Sequence, residues 1–215
     1  MKKQLLTMAA LCAIAFTSNA QTEKGKNLLS GSVGFSSNKS DYNGLANSTD
    51  LKSFNIQPQF GHFIARNFVV GLNIGYGQSK SEYKYYTNQS SADKNNSFNA
   101  GPFARYYVDI VEKFKLFGQF NAAVGFGKTE QLYSNIADSS PNRSYKYTSF
   151  SASINPGLAF FPSKRWEIGF YFPLVSYNKQ KFKDQIPANV YPNSYESFNL
   201  GFSSFNPSLG VGFLF

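Results

Sequence analysis

The sequence predicts an all-β fold, an eight-stranded antiparallel up-and-down transmembrane β-barrel. Three observations carry that reading. Hydropathy alternates with period two from about residue 29 to the last residue, the second face of each strand is made of small uncharged polar residues, and the connections alternate short and long.

The first twenty residues stand apart from this pattern. Met1 to Gln4 is a short basic stretch, Leu5 to Phe16 is apolar, and Ser18-Asn19-Ala20 places small residues at the −3 and −1 positions of a cleavage site before Gln21. A membrane-spanning helix needs about 20 apolar residues, so this run is too short for one. Residues 1–20 therefore read as a cleaved signal peptide and 21–215 as one barrel domain. Cys12, the only cysteine, falls inside the leader, and Leu11 before it does not suit a lipoprotein signal. The mature chain is then expected to lack disulfides, thiolate metal ligands and a cysteine nucleophile.

Each strand follows from alternation. Leu29, Val33 and Phe35 oppose Ser30, Ser32 and Gly34. Phe54, Ile56, Pro58, Phe60, His62 and Ile64 oppose Ser53, Asn55, Gln57, Gln59 and Gly61. Val70, Leu72, Ile74 and Tyr76 oppose Val69, Gly71, Asn73, Gly75 and Gly77, and Phe98 to Val108 alternates against Asn99, Gly101, Phe103, Arg105 and Tyr107. Four more strands follow, at 116–126, 149–160, 166–175 and 205–215.

Composition decides which face is inside. A water-soluble barrel would carry Lys, Glu, Thr and Arg on its second face. Here that face is Gly, Ser, Asn and Gln, with Arg105 and Glu167 almost its only charges. Small polar side chains suit a narrow lumen, and the apolar face then meets lipid. The mean hydropathy of −0.33 is compatible with this, because barrel strands dilute their apolar residues by alternation.

The short connections are Ala65-Arg66-Asn67, Asp109 to Lys113 and Pro162 to Arg165. The long ones run over 36–52, 78–96, 128–146 and 178–197 and read as solvated outer loops. Pro58, Pro102, Pro156 and Pro207 recur on the apolar face of every second strand. Proline removes a ladder donor, so these positions read as bulges that curve the sheet.

The runs Gly61-His62-Phe63, Asn67-Phe68-Val69-Val70-Gly71-Leu72, Gly101-Pro102-Phe103-Ala104-Arg105-Tyr106-Tyr107 and Asn155-Pro156-Gly157-Leu158-Ala159-Phe160-Phe161 give the mature chain a family likeness. In their order and spacing it resembles the outer-membrane β-barrel domain family of Bacteroidetes, related to OmpA/OmpX-like barrels. The resemblance implies the barrel fold and the bacterial outer membrane. It implies little about activity.

At the C-terminus, Ser208, Gly210, Phe213 and Phe215 look like the signal that barrel-assembly machinery reads, with Gly210, Phe213 and Phe215 as its core. No peptidoglycan-binding domain is expected to follow.

Candidate sites are few. His62 is the only histidine and has no nearby carboxylate in the pattern, so neither a metal site nor a Ser/His/Asp arrangement is expected. No cofactor is implied, and the chain reads as a non-enzyme. Trp166, Tyr106 and Tyr107 flank the short turns and suit an aromatic girdle. Lys179, Lys181 and Lys183 alternate in the last outer loop, either as an anion-binding face for lipopolysaccharide or as a solvated extension of the seventh strand. Arg105 and Glu167 lie on the lumen face near short turns and are expected to pair.

The net charge of +9 loses two units with Lys2 and Lys3. No nucleic-acid motif accompanies it, so outer-membrane lipids and lipopolysaccharide are the expected counter-charge. The expected role is structural or surface-interacting, through the extracellular loops and possible extracellular ligands. The alternative is a narrow channel or porin for small solutes.

Overall fold

The computed structural model describes residues 22–41, 48–84, 90–134, 142–183, 193–201 and 208–215. The expected leader and Gln21 lie outside the described residues. The strands are β1 (Asn27–Asp41), β2 (Ser48–Ala65), β3 (Phe68–Lys84), β4 (Ser90–Val111), β5 (Phe114–Ser134), β6 (Arg143–Phe160), β7 (Trp166–Tyr171), β8 (Val175–Phe182), β9 (Ser194–Leu200) and β10 (Ser208–Leu214).

Consecutive strands pair antiparallel from β1 to β6. Strand β6 then pairs with β7 near its end and with β8 along its middle, from Tyr147 to Ile154. Strand β8 pairs with β9, β7 pairs with β10, and β10 returns to β1 from Leu28↔Leu214 to Ser32↔Gly210. The ten segments thus form the eight staves of a closed barrel, two of them interrupted.

The seventh stave breaks at Phe172, Pro173 and Leu174 because Pro173 has no N–H to give. Its neighbours keep their bonds: Phe172 donates to the Pro156 carbonyl at 3.3 Å and Leu174 to that of Ile154 at 3.0 Å. Strand β9 ends at Leu200, just before Gly201, whose φ of 129° suits a residue without a Cβ.

Two sequence expectations change. The long connections are not loops over their whole length. Strands run up to Asp41, Lys84, Ser134 and Phe182 and resume at Ser48, Ser90, Arg143 and Ser194. Hydropathy alternation fades there because both faces of a hairpin standing in water are polar, although the ladder continues. The prolines, in turn, are not bulges. Register is the same on either side of Pro58 and of Pro102, and Pro156 pairs with Gly118 in an unbroken ladder. Each of these three prolines omits a donor without adding a residue. The register shifts lie beside the short turns, at Phe63/Ala65 and Asp109/Val111. At the first, Asn67 takes φ 63°, a left-handed conformation that asparagine tolerates and that closes a tight hairpin. Pro207 lies outside the described residues.

The outward face carries Leu29, Val33, Phe60, Leu72, Ile74, Val124 and Val211, all exposed, as a lipid-facing band requires. The inward face is not uniformly polar. At the end bearing the short turns, Leu28, Phe63, Val69, Phe103, Tyr107, Phe117, Ala159, Phe161 and Leu214 form a buried core inside the barrel. Glycines make room for it: a Cβ on Gly61 would meet the Phe103 ring at 2.9 Å, and one on Gly157 would run into Phe117.

Leu72 lies midway along the outward band between Phe68 and Tyr76 and is 64% exposed. Leu72→Arg is expected to destabilise the barrel by about 2–4 kcal/mol, the cost of a cation at mid-bilayer on a barrel's lipid face. Leu72→Phe is expected to cost close to nothing. Denaturant titration in lipid vesicles measures both, and equal effects would mean that this face does not meet lipid.

Candidate functional site

Alternation along β4 aims Arg105 and Tyr107 inward, two residues apart, and alternation along β7 does the same for Glu167. The structure brings them together. Arg105 Nη1 donates to Glu167 Oε1 at 2.7 Å and lies 2.9 Å from the Tyr107 hydroxyl, which itself donates to Glu167 Oε2 at 2.7 Å. Arg105 Nε donates to Gln119 Oε1 at 2.6 Å, and Nη2 donates to Gln59 Oε1 at 3.2 Å. Both carboxylate oxygens and all three guanidinium nitrogens therefore have partners.

Arg105 is 4% exposed and Glu167 2%. Burial at that level would be costly for an unpaired charge, which is why the network has to be closed. The guanidinium also stands over the Phe117 ring at 4.7 Å and near the Tyr107 ring at 5.7 Å. Only about 10 Å³ remains open beside Arg105, Glu167 and Tyr171, the space of a single water. Asn73 and Asn155, level with Gln59 and Gln119, keep amide atoms without a protein partner, and lumen water is the natural one.

A second cluster closes the same end. Lys115, buried on β5, reaches Asp109 Oδ1 at 2.6 Å, the Thr22 hydroxyl at 2.7 Å and Asn67 Oδ1 at 3.0 Å. The Thr22 hydroxyl also donates to Asn67. Backbone bonds fix the strap that precedes β1: Asn67 N donates to the Thr22 carbonyl at 2.7 Å and Gly25 N to that of Phe63 at 2.8 Å. Residues 22–26 thereby lie across the barrel mouth.

Lys115 is not among the sequence candidates because the alternation of the fifth strand is clear only from Leu116; one step back along it places Lys115 on the lumen face. Gln59 lies on the face that alternation assigns to the lumen, but its polarity alone does not single it out.

Other expected residues separate. Trp166 and Tyr106 are exposed on the outward face near the short turns. Tyr107 is corrected: it is fully buried in the lumen and belongs to the Arg105 network, as it must when its neighbour Tyr106 points outward. Tyr171 bonds to Ser32 Oγ at 2.9 Å and only packs against the cluster. His62 faces outward with Nδ1 2.9 Å from Asn27 Oδ1. Among the described residues no three His, Cys, Asp or Glu side chains gather to hold a metal. Gly210 faces the lumen beside Tyr171, while Phe213 meets Trp166 edge-on at 5.2 Å and lies 6.0 Å from Phe215.

Lys179 and Lys181 sit on strand β8 itself and Lys183 just after it, so they extend the seventh stave. Lys179 Nζ bonds to Glu196 Oε2 at 3.0 Å. Hydrogen bonds from Tyr177 and then Lys179 hold the Glu196 carboxyl below the usual carboxylate range. Lys128 does the same to Glu130, and Lys80 to Glu82.

The profile of the family described as "Outer membrane protein beta-barrel domain" matches residues 5–213. None of the curated proteins compared matches the chain. Among solved structures, Ail of Yersinia pestis in complex with the heparin analogue sucrose octasulfate is 20% identical, with TM-score 0.41 over 89% of this chain and 99% of that one. OprG of Pseudomonas aeruginosa is 12% identical, with TM-score 0.49 over 91% and 98%. Neisserial surface protein A is 14% identical, with TM-score 0.39 over 88% and 97%.

The closed geometry generates a coupling prediction. Arg105→Met and Glu167→Gln are each expected to destabilise the barrel by about 3–5 kcal/mol, less whatever lumen water recovers. The double variant should lose clearly less than the two single losses combined, because neither charge is then stranded. Additive losses in vesicle unfolding titrations would mean that the two side chains are not coupled.

Proposed function

Because the chain belongs to the outer membrane protein β-barrel domain family, we propose that it is an integral outer-membrane barrel with a structural or surface-interaction role. Its working surface is the set of extracellular hairpin extensions, and its lumen does not conduct. The observation that carries this reading is the filled lower lumen. The Arg105–Glu167–Tyr107 network sits inside an aromatic shell of Phe63, Phe103, Phe117 and Phe161.

A narrow channel is the second reading, and the glycines of the lumen face favour it. Gly61, Gly71 and Gly157, however, do not widen a path, because the rings of Phe103 and Phe117 occupy the space in front of them. Export by a leader of residues 1–20, cleaved before Gln21, belongs to the same reading. So do recognition of Gly210, Phe213 and Phe215 by barrel-assembly machinery, contact of the outward face with lipids and lipopolysaccharide, and binding of an extracellular ligand by the extensions.

Planar-bilayer recording tests the lumen. The purified barrel is expected to show no discrete conductance steps, and Arg105→Ala with Phe117→Ala is expected to introduce them. Steps from the unaltered protein would favour the channel.

Assembly is tested separately. Deleting Phe215 removes an outward ring and a backbone N–H bonded at 3.1 Å to the Asn27 carbonyl, at the seam where β10 meets β1. The deletion is expected to lower the heat-modifiable folded form in outer-membrane fractions more than loss of any one residue at a hairpin tip. Unchanged folded yield would remove the assembly role.

A further inference from the structure

The end of the barrel that bears the short turns carries a groove of about 460 Å³ at the seam. Parts of the chain far apart in sequence build it. Lys26 ends the strap before β1, Lys164 and Arg165 close the turn between β6 and β7, and Phe213 and Phe215 lie at the end of the last stave. Backbone bonds hold these parts together. Leu214 N donates to the Arg165 carbonyl at 2.7 Å, Asn27 N to that of Phe215 at 2.7 Å, and Phe63 N to that of Lys26 at 2.9 Å.

The floor of the groove is aromatic. Phe213 stacks on Phe215 at 6.0 Å and meets Trp166 edge-on at 5.2 Å. Strand pairing sets Phe213 opposite both Leu29 and Trp166, and directly opposed residues share a face. The rings therefore continue the lipid-facing band to the rim of the barrel. Trp166 and Phe215 are each about half exposed there.

The walls are cationic. Among the described residues, none of Lys26, Lys164 and Arg165 forms an ion pair. The other short turns differ. Arg66 pairs with Asp109 at 3.7 Å, and Lys115 pairs with the same carboxylate at 2.6 Å. The turn Pro162-Ser163-Lys164-Arg165 holds no acidic residue, and Glu167 beyond it is committed to Arg105 in the lumen. Glu23, on the strap, does not line the groove. Three cations thus line one space, and where they converge the field favours an anion.

From this geometry we infer that the groove is a binding site for an anionic phospholipid, with the phosphate on Lys26, Lys164 and Arg165 and the acyl chains along Phe213, Phe215 and Trp166. A soluble phosphate would meet the cations but leave the aromatic floor unused. A phospholipid whose head group carries its own ammonium would meet the floor but bring a fourth cation among the three. The inference rests on the barrel reading above. With the hairpin extensions outside the cell, the short turns put this groove in the periplasmic leaflet.

Trp166 is the only tryptophan of the chain, and it stands beside the site. In vesicles of brominated phosphatidylcholine, acyl chains touching the folded barrel quench its emission. Unbrominated phosphatidylglycerol or unbrominated phosphatidylcholine is then mixed in. Phosphatidylglycerol is expected to restore the emission at a clearly lower fraction than phosphatidylcholine. Lys26→Gln, Lys164→Gln and Arg165→Gln are each expected to lower that preference by about fivefold. Heat-modifiable migration would show that the variants are folded, and the comparison of lipids on the unaltered protein needs no variant. Equal recovery with the two lipids would overturn the inference alone. So would an unchanged preference in the folded triple variant, or its loss when glycerol phosphate is added. Absence of quenching by brominated lipid would overturn the barrel reading together with the inference.

Discussion

Closure of the sheet is the constraint on which the rest depends. In hydrocarbon each backbone N–H or C=O without a partner costs several kcal/mol, so a sheet that crosses a bilayer has to close on itself. Here the closing ladder is short, from Leu28↔Leu214 to Ser32↔Gly210, and Asn27 and Phe215 add a reciprocal pair of bonds at 2.7 and 3.1 Å. It lies at the end of the barrel that the aromatic core fills. Leu28 and Leu214, from the two strands of the seam, both pack into that core. The ladder that closes the barrel is thus also packed from inside.

Closing eight staves leaves a lumen only as wide as side chains. That width explains why glycine and phenylalanine alternate around the lower lumen instead of similar medium-sized residues. Where Gly61, Gly71 and Gly157 withhold a Cβ, the rings of Phe103 and Phe117 occupy the space, and Arg105 stacks on the second of these rings. A barrel filled this way can hold a charge at its centre, because the aromatic walls exclude bulk water while Gln59, Gln119 and Tyr107 replace its hydrogen bonds. Removing any one of these polar partners leaves the others with a buried group to satisfy, which couples the members of the network.

Much of this was legible in the sequence, for identifiable reasons. Strand faces were, because lipid demands an apolar residue at every second position and period two is easy to see. Arg105 and Glu167 were, because a full charge on a face of Gly, Ser, Asn and Gln stands out. Tyr107 was harder: a tyrosine beside a short turn fits the girdle as well as the lumen, and only strict counting from Tyr106 separates the two. The hairpin extensions were not legible as strands, since Lys80, Ser81 and Glu82 alternate in direction and not in hydropathy. Nor was the strap at Thr22, whose place depends on backbone bonds to Asn67 and Phe63 that no periodicity encodes. The break at Pro173 is readable in principle from its missing N–H, but the same property leaves the register at Pro58 and Pro102 undisturbed, so proline alone does not mark a break.

The outward lysines of the hairpins join these themes, because the same ladder that closes the barrel fixes where they stand. Lys52, Lys80 and Lys94 could not be gathered by reading along the chain; they are far apart in sequence and meet only through the β2–β3–β4 register. A register slip of one residue would turn all of them inward and bring Ser53, Ser79 and Asn95 out. In the observed register the inward rings of Phe103 and Phe117 fit against Gly61, Gly71 and Gly157, and a slip of one residue would remove that fit. Packing at one end of the barrel therefore sets the pattern of charge at the other. In the lower lumen, the buried Arg105 pairs with Glu167 and the buried Lys115 with Asp109. The lower lumen thus satisfies its own charges, and along the outer hairpins Lys52, Lys80, Lys128 and Lys179 are likewise matched by Asp50, Glu82, Glu130 and Glu196.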